Sequence, residues 1–376
     1  MSNQKNKTSL LPNRHQRQSI WIVLGLLAIA IRILFSWQPQ WCETWYARGL
    51  YPYLHELLYL LFGWLPFPAV YVFFVGVGIW LVLVIRRYRI HQHKKKADLP
   101  TEGSYLKGFF AFLMGLVFWF LLLWGYNYAR VPMHQQLELD VPEAMNFEAI
   151  WAETQYIKNT CIQARMAIPN TDTFALTKAN YPDNLEAIMR QSLTQVLAHY
   201  GYDTSWQVRG RALYSGTLLR FNSSGVYFPF VGEGNIDGGL HAISKPFTMA
   251  HELAHGYGFG DEAVCNFWGF MACINSEHPA IQYSGYLMYW RYVYGALMEF
   301  MTEEDYMLER ATISRGMYQD IEAIYANIDS YPPFIPFLQP AVYDVFLKVQ
   351  GVEEGIESYD RMVLLVSSWR KQKKDS

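Results

Sequence analysis

Three long apolar runs dominate the first third of the chain. They cover residues 20–37, 67–85 and 109–126, and each is long enough, or nearly so, to cross the hydrocarbon layer of a bilayer. A cleavable signal peptide is the alternative for the first run. No small-residue cleavage site follows it, however, and tryptophans follow instead, as they do at a membrane interface. The pattern therefore predicts three transmembrane helices in an anchor of residues 1–126.

Basic residues are distributed unequally around these runs. The N-terminal tail contains four and residues 86–107 contain seven, whereas Arg48 is the one strong base in residues 38–66. By the positive-inside rule we expect the tail and the 86–107 loop to lie in the cytoplasm. Three crossings then place residues 127–376 on the extracytoplasmic side.

The segment 49–66 is apolar but interrupted by Gly and Pro, and we expect it to lie flat at the outer interface or to re-enter the membrane. It contains His55 and Glu56 in the pattern HELLY. Tyr59 stands where a second histidine would be needed, so the pattern is not a metal motif. We interpret His55 as an interfacial residue.

The pattern beyond the third run is mostly helical. Residues 127–146 are expected to form a connector. Helices are predicted over 147–168, 183–201, 262–274, 281–298, 302–326, 341–350 and 356–370, with a disordered basic tail after them. His199, near the end of the second of these helices, is expected to be a surface residue.

Residues 205–243 differ from the helical remainder because they are rich in Gly, Ser and β-forming residues, which predicts short strands or extended loops. Gly225–Val231 is the candidate edge strand, which a peptide substrate could extend. The following GEGN sequence predicts a tight turn. Glu233 and Asn235 in that turn are candidates for lining a site.

The candidate chemistry lies in the sequence SKPFTMAHELAHG, which predicts a helix with Ser244 as its N-cap. His251 and His255 are four residues apart, so they point to nearly the same side of the helix and can hold one metal ion. Glu252 is rotated about 100° from His251, so it can act on a water molecule as a general base. A surface helix with solvated histidines is the alternative, but apolar neighbours indicate burial, and buried imidazoles need partners.

Neutral imidazoles suit Zn²⁺, and a catalytic zinc site has three protein ligands. Glu262 is the preferred third ligand, with Asn266 one turn later to orient a ligand. Asp261 is the alternative because it completes an HExxHxxGxxD pattern, although it also suits the N-cap of the next helix. The distant residues that stay open as third ligands are Glu233, His241 and His278.

Composition adds two constraints. The net charge of −2 gives no indication of a nucleic-acid partner. Of the four cysteines, Cys265 and Cys273 would lie about 12 Å apart on one helix, beyond the limit of roughly 7 Å for a disulfide. Either could pair with Cys161 in an oxidising compartment.

The sequence HELAH followed by GYGFGDEAVCNF resembles an uncharacterised bacterial family, a domain of unknown function. WGYNYARVP, YFPFVGEGN and VYDVFLKVQGVEEGIESYDRMVLL support a resemblance over nearly the whole chain. The resemblance implies a few N-terminal spans and an outer zincin-like HExxH domain, with no assigned substrate. Many members carry a glutamate two residues after the position of Glu262, where this chain has Val264. That acid is therefore dispensable, or this chain has lost activity.

We expect a three-helix membrane anchor followed by a mainly α, α+β zincin-like domain, residues 127–376, with a small β element beside the HExxH helix. The expected function is that of a zinc metallopeptidase anchored in the bacterial inner membrane. It would contact membrane lipid and cleave a peptide or envelope protein on the periplasmic or extracellular side. The alternative is a non-catalytic, metal-stabilised sensor or scaffold. Glu252 favours the peptidase because a structural metal site needs no acid there.

Overall fold

The structure is a computed structural model that describes residues 14–92, 102–169, 174–334 and 361–375. The predicted helix 341–350 lies outside the described residues. Five helices form the N-terminal part: α1 (Arg14–Trp37), the short α2 (Pro39–Trp41), α3 (Tyr51–Phe62), α4 (Ala69–Gln92) and α5 (Glu102–Leu123), with a π-helical segment over Cys42–Leu50.

Three of these helices are long and apolar enough to cross a membrane, over His15–Trp37, Ala69–Arg86 and Tyr105–Leu123. The three predicted apolar helices are thus confirmed. Helices α1 and α5 pack against each other along their lengths, for example through Trp21 and Phe118, whose ring centroids lie 6.2 Å apart.

The remaining part of the chain is mainly helical. Its helices are α6 (Met133–Gln136), α7 (Phe147–Met166), α8 (Leu185–His199), α9 (Lys245–Gly256), α10 (Glu262–Ile274), α11 (Pro279–Met298), α12 (Glu303–Arg310), α13 (Arg315–Asp329) and α14 (Arg361–Asp375). Short 3₁₀ helices cover Gly125–Ala129, Lys178–Asn180 and Leu219–Phe221.

Two predictions about the C-terminal helices are wrong. The single helix predicted over 302–326 is two helices, because Thr302 caps α12 and Ser314 caps α13 with their side chains. The basic tail predicted to be disordered continues α14 as far as Asp375. Arg370 holds this helix by pairing with Glu153 of α7.

A three-stranded sheet, in the order β1-β3-β2, consists of β1 (Arg209–Leu213), β2 (Gly225–Phe228) and β3 (Glu233–Asp237). Strand β3 is parallel to β1 and antiparallel to β2. The predicted edge strand is present but stops at Phe228. The predicted GEGN turn is wrong, because Glu233 and Asn235 lie in the central strand β3, all five residues of which are buried.

Helix α9, which carries the HExxH sequence, is a core helix. It packs against α8, α10, α11 and all three strands, and every residue from Pro246 to Gly256 is buried. Helix α10 is buried from Glu262 to Cys273. Ser244 was predicted to be the N-cap of α9, but its side chain makes no capping hydrogen bond.

The residues between α1 and α4 also pack into this core. His55, predicted at the membrane interface, is 1% exposed and lies beside Gly232 in the turn between β2 and β3. On the same face of α3, the Tyr51 hydroxyl donates to the carbonyl of Gly256, 2.9 Å away. The face of α3 that carries His55 is therefore buried against α9 and the turn of the sheet, and His55 is not exposed at an interface.

All four cysteines are buried free thiols, so the disulfide considered for Cys161 is absent.

A buried ion pair fixes the sheet to the N-terminal end of α4. Arg209 of β1 contacts Glu233 of β3 at 2.6 Å, with side chains 6% and 1% exposed. Arg209 also donates to the carbonyls of Phe62, Leu65 and Phe67, and Glu233 accepts from the amide of Ala69.

We predict that Arg209→Met lowers the free energy of unfolding by about 3–5 kcal/mol, because it leaves the buried Glu233 carboxylate unpaired. Arg190→Met is the matched control, since Arg190 pairs with Glu186 one turn away on a half-exposed helix face. That pair contributes about 0.3–0.5 kcal/mol. Unfolding of the detergent-purified variants, followed by denaturant titration, distinguishes them. Equal losses would show that the buried pair is not a major contributor to stability.

Candidate metal centre

The turn between α9 and α10 brings the HExxH helix against the helix that follows. Gly258 adopts a left-handed backbone conformation with φ of 82°, which favours glycine. Asp261 then caps α10 by accepting a hydrogen bond from the amide of Val264. Arg130 secures the turn by donating to the carbonyls of Tyr257 and Gly258.

This turn places Glu262 opposite the two histidines. Nε2 of His251 and Nε2 of His255 are 3.2 Å apart. Oε2 of Glu262 lies 3.1 Å from the first and 3.6 Å from the second. A tetrahedral zinc ion with bonds of about 2.0–2.1 Å would separate its ligand atoms by about 3.3–3.4 Å. The three buried side chains thus form a group whose spacing suits one such ion.

Both imidazoles are held so that Nε2 faces the centre of the group. Nδ1 of His251 is 2.8 Å from Oδ1 of Asn266, and Nδ1 of His255 is 2.8 Å from the carbonyl oxygen of Phe259. Each oxygen accepts a hydrogen bond from Nδ1–H, which keeps the proton on Nδ1 and leaves the lone pair of Nε2 free to bind a cation. Two lone pairs and a carboxylate converge here, which is favourable only around a positive charge. The residues present therefore fit a divalent metal ion.

The pKa shifts of the group agree with its ability to hold a positive charge. Burial lowers the pKa of His255, but its contacts with Cys265 and Glu262 outweigh burial and hold the pKa well above its ordinary value. Burial opposes ionisation of Glu262, yet the two histidines bring the pKa of that carboxyl well below its ordinary value. The group stabilises positive charge between the imidazoles, whether a proton or a metal ion supplies it.

Glu252 lies beside the group without belonging to it. Its Oε2 is buried and has no hydrogen-bond partner in the part of the chain that the structure describes. Burial raises the pKa of Glu252 to about 7, which is the range that suits a general base near neutral pH. The absence of a side chain at Gly225 of β2 leaves room for the Glu252 side chain, because a Cβ there would lie 2.7 Å from Cγ of Glu252.

These groups face a cavity of about 640 Å³. One wall is β2 and the residues that precede it, and the opposite wall is formed by α9 and α10. Its lining includes Phe120, Trp124, Tyr128, Phe221, Val226, Tyr227, Phe247, His251, Glu252, His255, Glu262, Asn266, Met288 and Tyr292. The cavity can therefore admit a ligand to the metal-binding group and to Glu252 at once.

The structure places the other predicted candidates elsewhere. Asp261 caps α10 and pairs with Arg361 at 3.0 Å, and Glu233 pairs with Arg209. His241 and His278 do not belong to the metal-binding group found among the described residues. His199 lines a different cavity, beside α14.

Sequence reasoning missed two neighbours of the site. The indole of Trp124 donates to the carbonyl of His255 at 2.8 Å, and Sγ of Cys265 lies 3.3 Å from Nδ1 of His255. Cys265 lies three residues after Glu262, so helical spacing could have placed the two on one face. For Trp124 the sequence offers only its position at the end of the third apolar run.

We predict that Glu262→Ala weakens zinc binding by orders of magnitude, because it removes one of three ligand atoms. Asp261→Ala is the adjacent control. It should retain zinc and lower stability by about 1 kcal/mol through the lost cap. Isothermal titration with zinc, beside thermal unfolding of each variant, tests both. Zinc binding lost in Asp261→Ala and kept in Glu262→Ala would show that Asp261 is the ligand.

Comparison with known proteins gives a family match for most of the chain. No curated protein and no solved structure matches it. Residues 46–367 match a family described as a protein of unknown function (DUF3810), and this range contains the HExxH sequence, Glu262 and all three strands. Because the match extends over most of the sequence, the chain belongs to the DUF3810 family.

Proposed function

We propose that the protein is a membrane-anchored, zinc-dependent peptidase whose site faces the extracytoplasmic side. One observation carries the proposal. His251, His255 and Glu262 converge at tetrahedral ligand spacing, and the unpaired carboxylate of Glu252 lies beside them in a cavity large enough for a peptide segment. A purely structural metal site would need neither the cavity nor the second acid, Glu252.

The chain's own residues account for the proton transfers of amide hydrolysis. A bound zinc ion would act as a Lewis acid toward the scissile carbonyl and would make water more acidic. His251, His255 and Glu262 would hold the ion, and Asn266 and the Phe259 carbonyl keep the rings oriented. Glu252 accepts a proton from the attacking water as its oxygen bonds to the carbonyl carbon. Glu252 then passes that proton to the leaving nitrogen when the C–N bond breaks.

The edge strand β2 supplies a place for the peptide. It pairs with β3 on one side, and its residues from Gly225 to Tyr227 line the cavity that contains Glu252. An extended peptide can add to such an edge through main-chain hydrogen bonds. A peptide bound there would pass beside Glu252 and the metal-binding group.

The proposed orientation rests on the basic residues of the loops and on the order of the helices. The site lies near the end of α5 and the start of α4, whereas residues 86–107 join the other ends of these helices. A cytoplasmic location for that basic loop would therefore put the site outside.

We predict that Glu252→Gln retains zinc and thermal stability but abolishes hydrolysis, because an amide of nearly equal volume replaces the base. Glu299→Gln at the end of α11 is a matched control and should behave as wild type. Metal content, thermal unfolding and proteolysis of envelope extracts measure these three properties. Equal turnover by Glu252→Gln and wild type would exclude the general-base role.

The double variant His251→Ala, His255→Ala completes this test and should bind no zinc. Zinc retained in it would contradict the site. A wild-type protein that binds zinc but cleaves nothing would favour the sensor or scaffold function.

We predict that reporter fusions after residues 100 and 140 report opposite sides of the membrane, with the first in the cytoplasm. An alkaline phosphatase fusion should be active only at the second position. A cytoplasmic result for both would contradict the orientation.

A further inference from the structure

The cavity with the metal-binding group is lined by the end of one candidate membrane helix, α5, and β2 connects this wall to a second, α4. Phe120, within the apolar stretch of α5, and Trp124, just after it, line the cavity. Strand β2 bridges the two helices. The ring of Phe228 lies 5.0 Å from that of Phe73 in α4, and the ring of Tyr227 lies 5.6 Å from that of Trp124.

Helix α3 independently indicates the level of the membrane surface. One face carries Tyr53, Leu57, Leu60 and Leu61, each more than half exposed. Its opposite face is buried and includes Tyr51, which is hydrogen-bonded to the last residue of α9. A helix that exposes one apolar face in this way lies in the membrane interface. Because α3 contacts α9 directly, the metal-binding group lies close to the same level.

Helix α4 has an open stretch between its contacts with α5 and with β2. It meets α5 where Trp80 stacks on Phe112, with ring centroids 5.5 Å apart. Between this contact and Phe73, side chains of α4 are exposed, and among the residues that the structure describes no atom would lie within 4 Å of a Cβ at Gly76. Gly76 follows Phe73 by three residues and precedes Trp80 by four, so it lies on the face that carries both. Lipid would fill this space in a bilayer.

The mouth of the cavity is apolar as well. Phe221 and Val226 both line it and are 46% and 38% exposed. Apolar groups grouped at the mouth of a site indicate an apolar partner or a membrane.

We infer that the substrate is the extracytoplasmic juxtamembrane segment of a membrane-anchored protein, whose hydrophobic span approaches between α4 and α5. This inference rests on the proposed peptidase function. The span of the substrate would remain in lipid beside Gly76. The first residues that emerge from the membrane would extend along β2 past Glu252.

The test uses the full chain reconstituted with zinc in phosphatidylethanolamine–phosphatidylglycerol vesicles. One peptide set has a randomised segment of about 20 residues joined directly to an apolar span of about 20 residues. A second set has the same randomised segment without the span. Mass spectrometry maps the cuts. We expect cuts within about six residues of the span, since an extended chain covers about 20 Å in that length, and at least about tenfold slower cleavage of the second set.

Two glycine variants test the path of the substrate. Gly76→Trp should slow cleavage of the anchored set severalfold without changing zinc content, because it narrows the space between α4 and α5. Gly78→Trp is the matched control, because Gly78 lies on the opposite face of α4 and a Cβ there also has no atom within 4 Å. It should cleave as wild type does.

The outcomes separate the inference from the function on which it rests. Equal cleavage of both sets, or cuts spread evenly along the anchored segment, would overturn the inference and leave the peptidase intact. Unchanged cleavage by Gly76→Trp would overturn the path between α4 and α5. Absence of cleavage in both sets, or equal cleavage by Glu252→Gln, would overturn the proposed function itself.

Discussion

The C-terminal carbonyls of α9 are the constraint on which the site depends. A helix end leaves carbonyl groups without intrahelical partners, and buried ones must be satisfied by other donors. Here most of the donors lie in segments that adjoin the candidate membrane helices. Trp124 binds the carbonyl of His255, Tyr51 binds that of Gly256, and Arg130 binds those of Tyr257 and Gly258. The helix that carries His251 and His255 is therefore held by several hydrogen bonds to the segments that adjoin the candidate membrane helices.

Buried charges strengthen this attachment. Arg130 pairs with Glu43, which lies in the π-helical segment between α2 and α3, and the two side chains are almost completely buried. Arg209 and Glu233 similarly fix the sheet to the start of α4. Removing one partner of a buried pair costs far more than the pair contributes. Each pair therefore opposes separation of the site from the candidate membrane helices and maintains the arrangement of β2 and α9 beside them.

Local periodicity was sufficient to predict most of the helices and much of the candidate site. The three apolar helices, the HExxH helix, the cap at Asp261 and the position of Asn266 beside His251 all follow from spacing within one or two turns. These features depend on neighbours a few residues away. The candidate third ligand was harder to predict, because Asp261 and Glu262 both had a suitable spacing. In the structure Asp261 caps α10, and Glu262 lies beside the two histidines.

Three of the wrong predictions share a different physical cause, which is tertiary burial. The GEGN sequence has the composition of a turn, yet it forms a central strand because Arg209, on a neighbouring strand, neutralises Glu233. His55 has an interfacial pattern, but the sheet covers its side of α3. The basic end of α14 is ordered by Glu153 on α7. No local pattern contains these partners, because they are remote in sequence.

The resemblance to the family implies a glutamate where this chain has Val264, and the side of α10 on which Val264 lies shows what such a difference would affect. Val264 follows Glu262 by two residues, which rotates it about 200° around α10, to the opposite side of the helix. It lines a separate cavity with Arg130, Asp261 and Arg361, and it is not among the residues around Glu252. A glutamate at this position would point away from the group of His251, His255 and Glu262. It would lie near Arg130, which holds the turn after α9, and near Arg361, which pairs with Asp261. The valine therefore leaves the side chains of the proposed site unchanged and is no argument against the proposed activity.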